Sequence, residues 1–92
     1  MILLGGHIDL EGFEGLDSGT MVVAKKMVGT FAKHLEEAHA LESLHLKLED
    51  GAGLRVTMQA RLRDQEVVGV GEAENLFFAL STAFSQVLTT LQ

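Results

Sequence analysis

Hydrophobic positions recur at two different spacings along this chain of 92 residues, and each change of spacing marks an element boundary. Over residues 7–13, Ile8 and Leu10 alternate with His7, Asp9 and Glu11, the period-two pattern of a strand with one buried face. The apolar run from Ile2 to Leu4 reads as an extension of that strand across the Gly5-Gly6 pair. Glu14 to Asp17 read as a loop, with Asp17 or Ser18 placed to cap a helix.

From about Thr20 to Ala40 the spacing becomes helical. Ala24, Met27, Val28, Phe31, Leu35 and Ala38 form one apolar stripe, and Lys25, Lys26, Lys33, Glu36 and Glu37 fall outside it. Gly29 lies on the polar side, where it costs about 1 kcal/mol relative to Ala. Either the helix bends there or something approaches it closely.

Period two then returns. Leu44, Leu46 and Leu48 alternate with His45, Lys47 and Glu49, and Asp50-Gly51-Ala52-Gly53 supplies turn chemistry. Leu54, Val56, Met58, Ala60 and Leu62 next alternate with Arg55, Thr57, Gln59, Arg61 and Arg63. Asp64-Gln65 reads as a two-residue hairpin turn into a further strand over residues 66–72. That turn pairs Arg63 with Glu66, Leu62 with Val67, Ala60 with Gly69 and Met58 with Gly71. Val67, Gly69 and Gly71 then face the core, where two glycines leave room for a helix, and Val68 and Val70 lie on the open face. Asn75 caps a last helix with Leu76, Phe77, Leu80, Phe84, Val87, Leu88 and Leu91 on one side.

The predicted order is β-α-β-β-β-α. It implies an α+β two-layer sandwich, a four-stranded and mainly antiparallel sheet with two helices on one face. Phe31, Leu46, Val56, Phe77, Leu80 and Phe84 are its expected core.

Length and composition narrow the class. Ninety-two residues, 47% apolar and 22% charged, suit a single globular domain over residues 1–92. The absence of cysteine excludes disulfides, thiolate chemistry and Cys-based zinc sites. The apolar start is ended by Gly5, Gly6, His7 and Asp9 and has no basic leader, so a secretory signal is not expected. No stretch approaches the ~20 apolar residues that span a bilayer, so no membrane partner is expected and the cytoplasm is the expected location. The net charge of −6 argues against general nucleic-acid affinity, which needs Lys and Arg in excess.

Candidate chemistry is sparse. His34 and His39 are five residues apart on a helix and point in different directions, while His7 and His45 alternate outward on strands. Asp9, Glu11, Glu14 and Asp17 lack the regular spacing of a calcium loop. Gly69-Val70-Gly71 lacks the third glycine of a dinucleotide fingerprint, and Glu72 and Glu74 would repel a pyrophosphate. Ser18, Ser43, Ser81 and Ser85 have no nucleophile motif around them. No catalytic residue, metal or cofactor is expected.

Two surfaces stand out instead. The open sheet face gathers His45, Lys47, Arg55, Arg61 and Arg63 beside Val68 and Val70, unless Glu49 and Glu66 simply balance them. From Asn75 to Gln92 no side chain is charged. The outer face of that helix carries Phe78, Thr82, Ser85, Gln86 and Thr89, with Phe78 about 100° off the core stripe. These residues, with Val68 and Val70, suit a homodimer contact.

Three segments carry a family resemblance. Gly6-His7-Ile8-Asp9-Leu10-Glu11, Val23-Ala24-Lys25-Lys26-Met27 through Phe31-Ala32-Lys33-His34-Leu35, and Gly71-Glu72-Ala73-Glu74-Asn75-Leu76-Phe77-Phe78-Ala79-Leu80 are the segments concerned. They resemble the first strand, the first helix and the last strand–helix junction of the ribosome hibernation-promoting factor family, also called ribosome-associated inhibitor A. The element order matches as well. The resemblance implies binding to the small ribosomal subunit over its tRNA and mRNA sites through Lys and Arg. Lys25, Lys26 and Lys33, with Lys47, Arg55, Arg61 and Arg63, are the residues available for such RNA contacts. The expected function is thus a non-enzymatic binding module, ribosome-associated and inhibiting translation in a hibernation-like way. The alternative is a homo-oligomeric interaction domain with no nucleic-acid partner.

Overall fold

The computed structural model describes residues 2–91, in which two helices cover a mixed five-stranded sheet. The elements are β1 (Ile2–Leu4), β2 (Ile8–Glu11), α1 (Ser18–His39), β3 (Leu41–Asp50), β4 (Leu54–Leu62), β5 (Glu66–Ala73) and α2 (Leu76–Leu91). Sheet order follows chain order, β1-β2-β3-β4-β5. Neighbours are antiparallel except β2 and β3, a parallel pair joined by the α1 crossover that such a pair requires.

Ile2–Leu4 does not extend β2 but folds back on it as a separate strand, with Ile2 opposite Leu10 and Leu4 opposite Ile8. Gly5, at φ 72°, accepts the turn conformation that a side chain would resist. The sheet therefore has five strands where four are expected.

The β4–β5 turn lies one residue earlier than expected. Leu62 donates its N–H to Gln65 O, so Arg63 and Asp64 form the tip. Arg61 pairs with Glu66, Ala60 with Val67, Met58 with Gly69 and Val56 with Gly71. Moving the tip by one residue moves the pairing by two, and a two-residue slip keeps every side chain on its face. Val67, Gly69 and Gly71 accordingly face the helices, and Val68 and Val70 the open side.

Asp17 caps α1: its carboxylate accepts the Thr20 N–H at 3.2 Å and the Thr20 hydroxyl at 2.6 Å. Asn75 Oδ1 caps α2 by accepting the N–H groups of Phe77 and Phe78. Gly29 touches nothing, because a Cβ added there would meet no atom within 4 Å.

The core lies between sheet and helices. Ala24, Val28, Ala32 and Leu35 of α1 join Leu10, Leu44, Leu46, Val56 and Met58 of the sheet in one buried cluster. Of the expected core residues, Leu46, Val56 and Leu80 are buried, whereas Phe31, Phe77 and Phe84 are only half-buried. Phe31 and Phe84 stack with centroids 4.2 Å apart, filling the seam between α1 and α2 on one face of the sheet. Phe13, unexpected in the core, is fully buried in the loop before α1.

α2 packs chiefly on β5. Ala79 and Ala83 sit over Gly71 and Gly69, and a Cβ on either glycine would collide with the helix backbone at those alanines. Leu76, Leu80 and Val87 flank this close contact and are buried too.

Candidate functional surfaces

The open sheet face is a ladder of opposed charges. Asp9 lies opposite His45, and Glu11 opposite Lys47, across the β2–β3 pair. Arg55 lies opposite Glu72, and Arg61 opposite Glu66, across β4–β5. Three of these register pairs are also ion pairs, Lys47 Nζ to Glu11 Oε2 at 3.9 Å, Arg55 to Glu72 Oε2 at 3.1 Å and Arg61 to Glu66 Oε2 at 3.2 Å, and in the fourth His45 Nδ1 lies 3.1 Å from Asp9 Oδ2. Opposite charges directly across a strand pair are the favourable arrangement.

His45 also turns Nε2 toward Glu11 Oε1 at 3.3 Å, so its two ring nitrogens face two different carboxylates. A ring used from both sides cannot gather Asp9 and Glu11 around one ion, and no group that could hold a metal occurs among the described residues. Gln59 donates to Glu66 Oε1 at 2.7 Å, and this bond, followed by those from Arg61, holds the Glu66 carboxyl below the usual carboxylate range.

The seven basic residues therefore divide into two sets. Lys47, Arg55 and Arg61 are paired with carboxylates. Lys25, Lys26 and Lys33 on α1, and Arg63 at the hairpin tip, form no ion pair among the described residues. Lys26 and Lys33 are seven residues apart, on one side of the helix and about 10 Å from each other along its axis. Val22 and Val23, 54% and 43% exposed, belong to the same exposed part of α1.

The residues expected at a self-association surface are split. Phe78, Thr82, Ser85 and Gln86 lie on the outer side of α2 around a shallow depression, and Phe78 is 69% exposed. Val68 and Val70 lie on the opposite face of the sheet, with Val68 48% exposed. The two halves meet only at the β5 edge, where Val70 donates its N–H to Gln86 Oε1 at 2.6 Å. That bond gives no sign in the sequence, since it depends on which side of α2 overhangs β5.

Among the described residues no helix is long and apolar enough to cross a membrane. Comparison with known proteins finds no matching family model and no matching curated protein.

Proposed function

We propose that this chain is a non-enzymatic binding module that works through protein–protein contact, first of all with a second copy of itself. The observation that supports this reading is the contrast between its surfaces. The sheet face matches its own charges pair by pair, whereas the outer side of α2 carries none and exposes Phe78. Each copy carries a net charge of −6, so two copies repel least where they meet through this uncharged helix. Small hydroxyl and amide side chains at Thr82, Ser85, Gln86 and Thr89 can pack across a two-fold axis without burying a charge.

Sedimentation of the chain over a range of concentrations tests the reading. The expected outcome is a mass that rises with concentration toward the dimer, and Phe78→Glu shifting it back to monomer with the fold intact. A chain that stays monomeric at the highest concentration sinks the idea.

A second reading, contact with the small ribosomal subunit, is supported by the unpaired Lys25, Lys26 and Lys33 on α1 and by the family resemblance of that helix. Co-sedimentation with ribosomes, lost when the three lysines are neutralised together, is its expected outcome.

A further inference from the structure

β5 is an edge strand, and its outward row of backbone groups is long and regular. Val70 directs its N–H away from β4 to reach Gln86. The alternation of an antiparallel ladder then turns the N–H and C=O groups of Glu66, Val68 and Glu72 the same way. β5 pairs with β4 over its whole length without a bulge, and it contains neither proline nor lysine. Bulges, proline and lysine are the usual means of blunting an edge. Here the side-chain amide of Gln86 holds the central position instead.

A second copy does not fit this edge. Antiparallel pairing of two β5 strands about a two-fold axis places both α2 helices on the same side of the joined sheet. Paired strands lie about 4.8 Å apart, and α2 sits directly over β5 at Gly69 and Gly71. Packed helices need about 8–10 Å between their axes, so the two would collide. A single extended segment has no such helix and meets no such obstacle.

Charge along the strand describes that segment further. Glu66 and Glu72 stand six residues apart on the open face, with the uncharged Val68 and Val70 between them. Arg61 and Arg55 each engage only the Oε2 of their carboxylate, and Gln59 takes Oε1 of Glu66. Glu72 Oε1 accepts no hydrogen bond among the described residues. Asp64 and Glu74 add a carboxylate near each end of β5.

We propose that the β5 edge binds an extended segment of a partner protein by strand addition, with Gln86 as a latch that the segment displaces. The segment carries Lys or Arg at positions six apart, to meet Glu66 and Glu72, and uncharged strand-forming residues between them. This inference goes beyond self-association through α2, since the occupant differs and the two surfaces share only Gln86.

The probe is a fluorescent peptide of the pattern Lys-Val-Thr-Val-Thr-Val-Lys, titrated into the unmodified chain, with the mass of the same samples followed by sedimentation. Binding is expected, and replacing both lysines by Glu should weaken it at least tenfold. Gln86→Ala should tighten binding roughly two- to tenfold, the equivalent of one net hydrogen bond removed from the free state. Val70→Pro, which deletes the central donor on the side away from β4, should abolish it. On the unmodified chain, peptide should slow amide-proton exchange at Val68 and Glu72, a result that simple charge attraction does not produce. No binding at about 1 mM peptide overturns the proposal, as does binding that leaves those amides unprotected. The sedimentation record scores self-association separately, so either idea can fail while the other stands.

Discussion

Ala40 ends α1 at φ 56° and ψ 63°, the left-handed region that glycine enters freely and that costs a residue with a Cβ roughly 1–2 kcal/mol. Ala40→Gly relieves that cost but loosens the unfolded chain, so a net gain of about 0.5–1 kcal/mol is expected. A urea midpoint that moves down instead of up would show that Ala40 is held without strain. The other end of α1 responds to pH. The Thr20 hydroxyl, then the Thr20 N–H, stabilises the ionised Asp17 carboxylate and holds it below its ordinary value of 3.8. A lowered pKa in the folded chain means stability that is present above pH 3.8 and lost as pH falls through the folded value. Asp17→Asn keeps a good cap and removes the titration. Thermal melts from pH 7 downward should therefore show a shallower acid loss for Asp17→Asn. Parallel curves would remove Asp17 from the acid response.

Elements were legible wherever a period ran long enough. The alternation over Leu54 to Leu62 and the stripe from Ala24 to Leu35 appear as β4 and α1. Short pieces were not legible: Ile2–Leu4 has three residues and no alternation that separates continuation from a hairpin. The β4–β5 tip was displaced by one residue, since Arg63-Asp64 and Asp64-Gln65 give the same pattern of faces. The face assignment survived, and with it the reason for Gly69 and Gly71. Their alternation places them under α2, while Ala79 and Ala83, four apart, supply the matching smooth side. Phe77 and Phe84, expected in the core, are only half-buried, because large rings cannot enter where helix and strand backbones nearly touch. Gly71→Ala should thus cost at least about 2 kcal/mol, the penalty of overpacking against backbone that cannot yield. Gly29→Ala, with open space around it, should raise stability by up to about 1 kcal/mol. Urea denaturation of the two variants side by side checks both signs, and equal effects would contradict the packing described for α2.

At the scale of the whole molecule, the candidate surfaces were only half readable. The neutral stretch from Asn75 onward is visible in the bare sequence, as is the set of basic residues on alternating strand positions. Which carboxylate each base meets depends on strand register, and register is a property of the folded sheet. Glu72 and Glu66 come from eight or fewer residues of one strand, yet they neutralise both arginines of another. This division sets the response of the chain to salt. Self-association brings two bodies of charge −6 together through an uncharged surface, so their long-range repulsion opposes it. Added salt shortens the Debye length from about 10 Å at 0.1 M to about 3 Å at 1 M, and the repulsion fades. Self-association should therefore strengthen with ionic strength. Contact between Lys25, Lys26 and Lys33 and ribosomal RNA releases counterions and should weaken over the same range. The two slopes have opposite signs, so sedimentation and ribosome pelleting at matched salt concentrations separate the readings. A dimer that dissociates as salt rises would mean that its interface is built from charges, which the outer side of α2 does not possess.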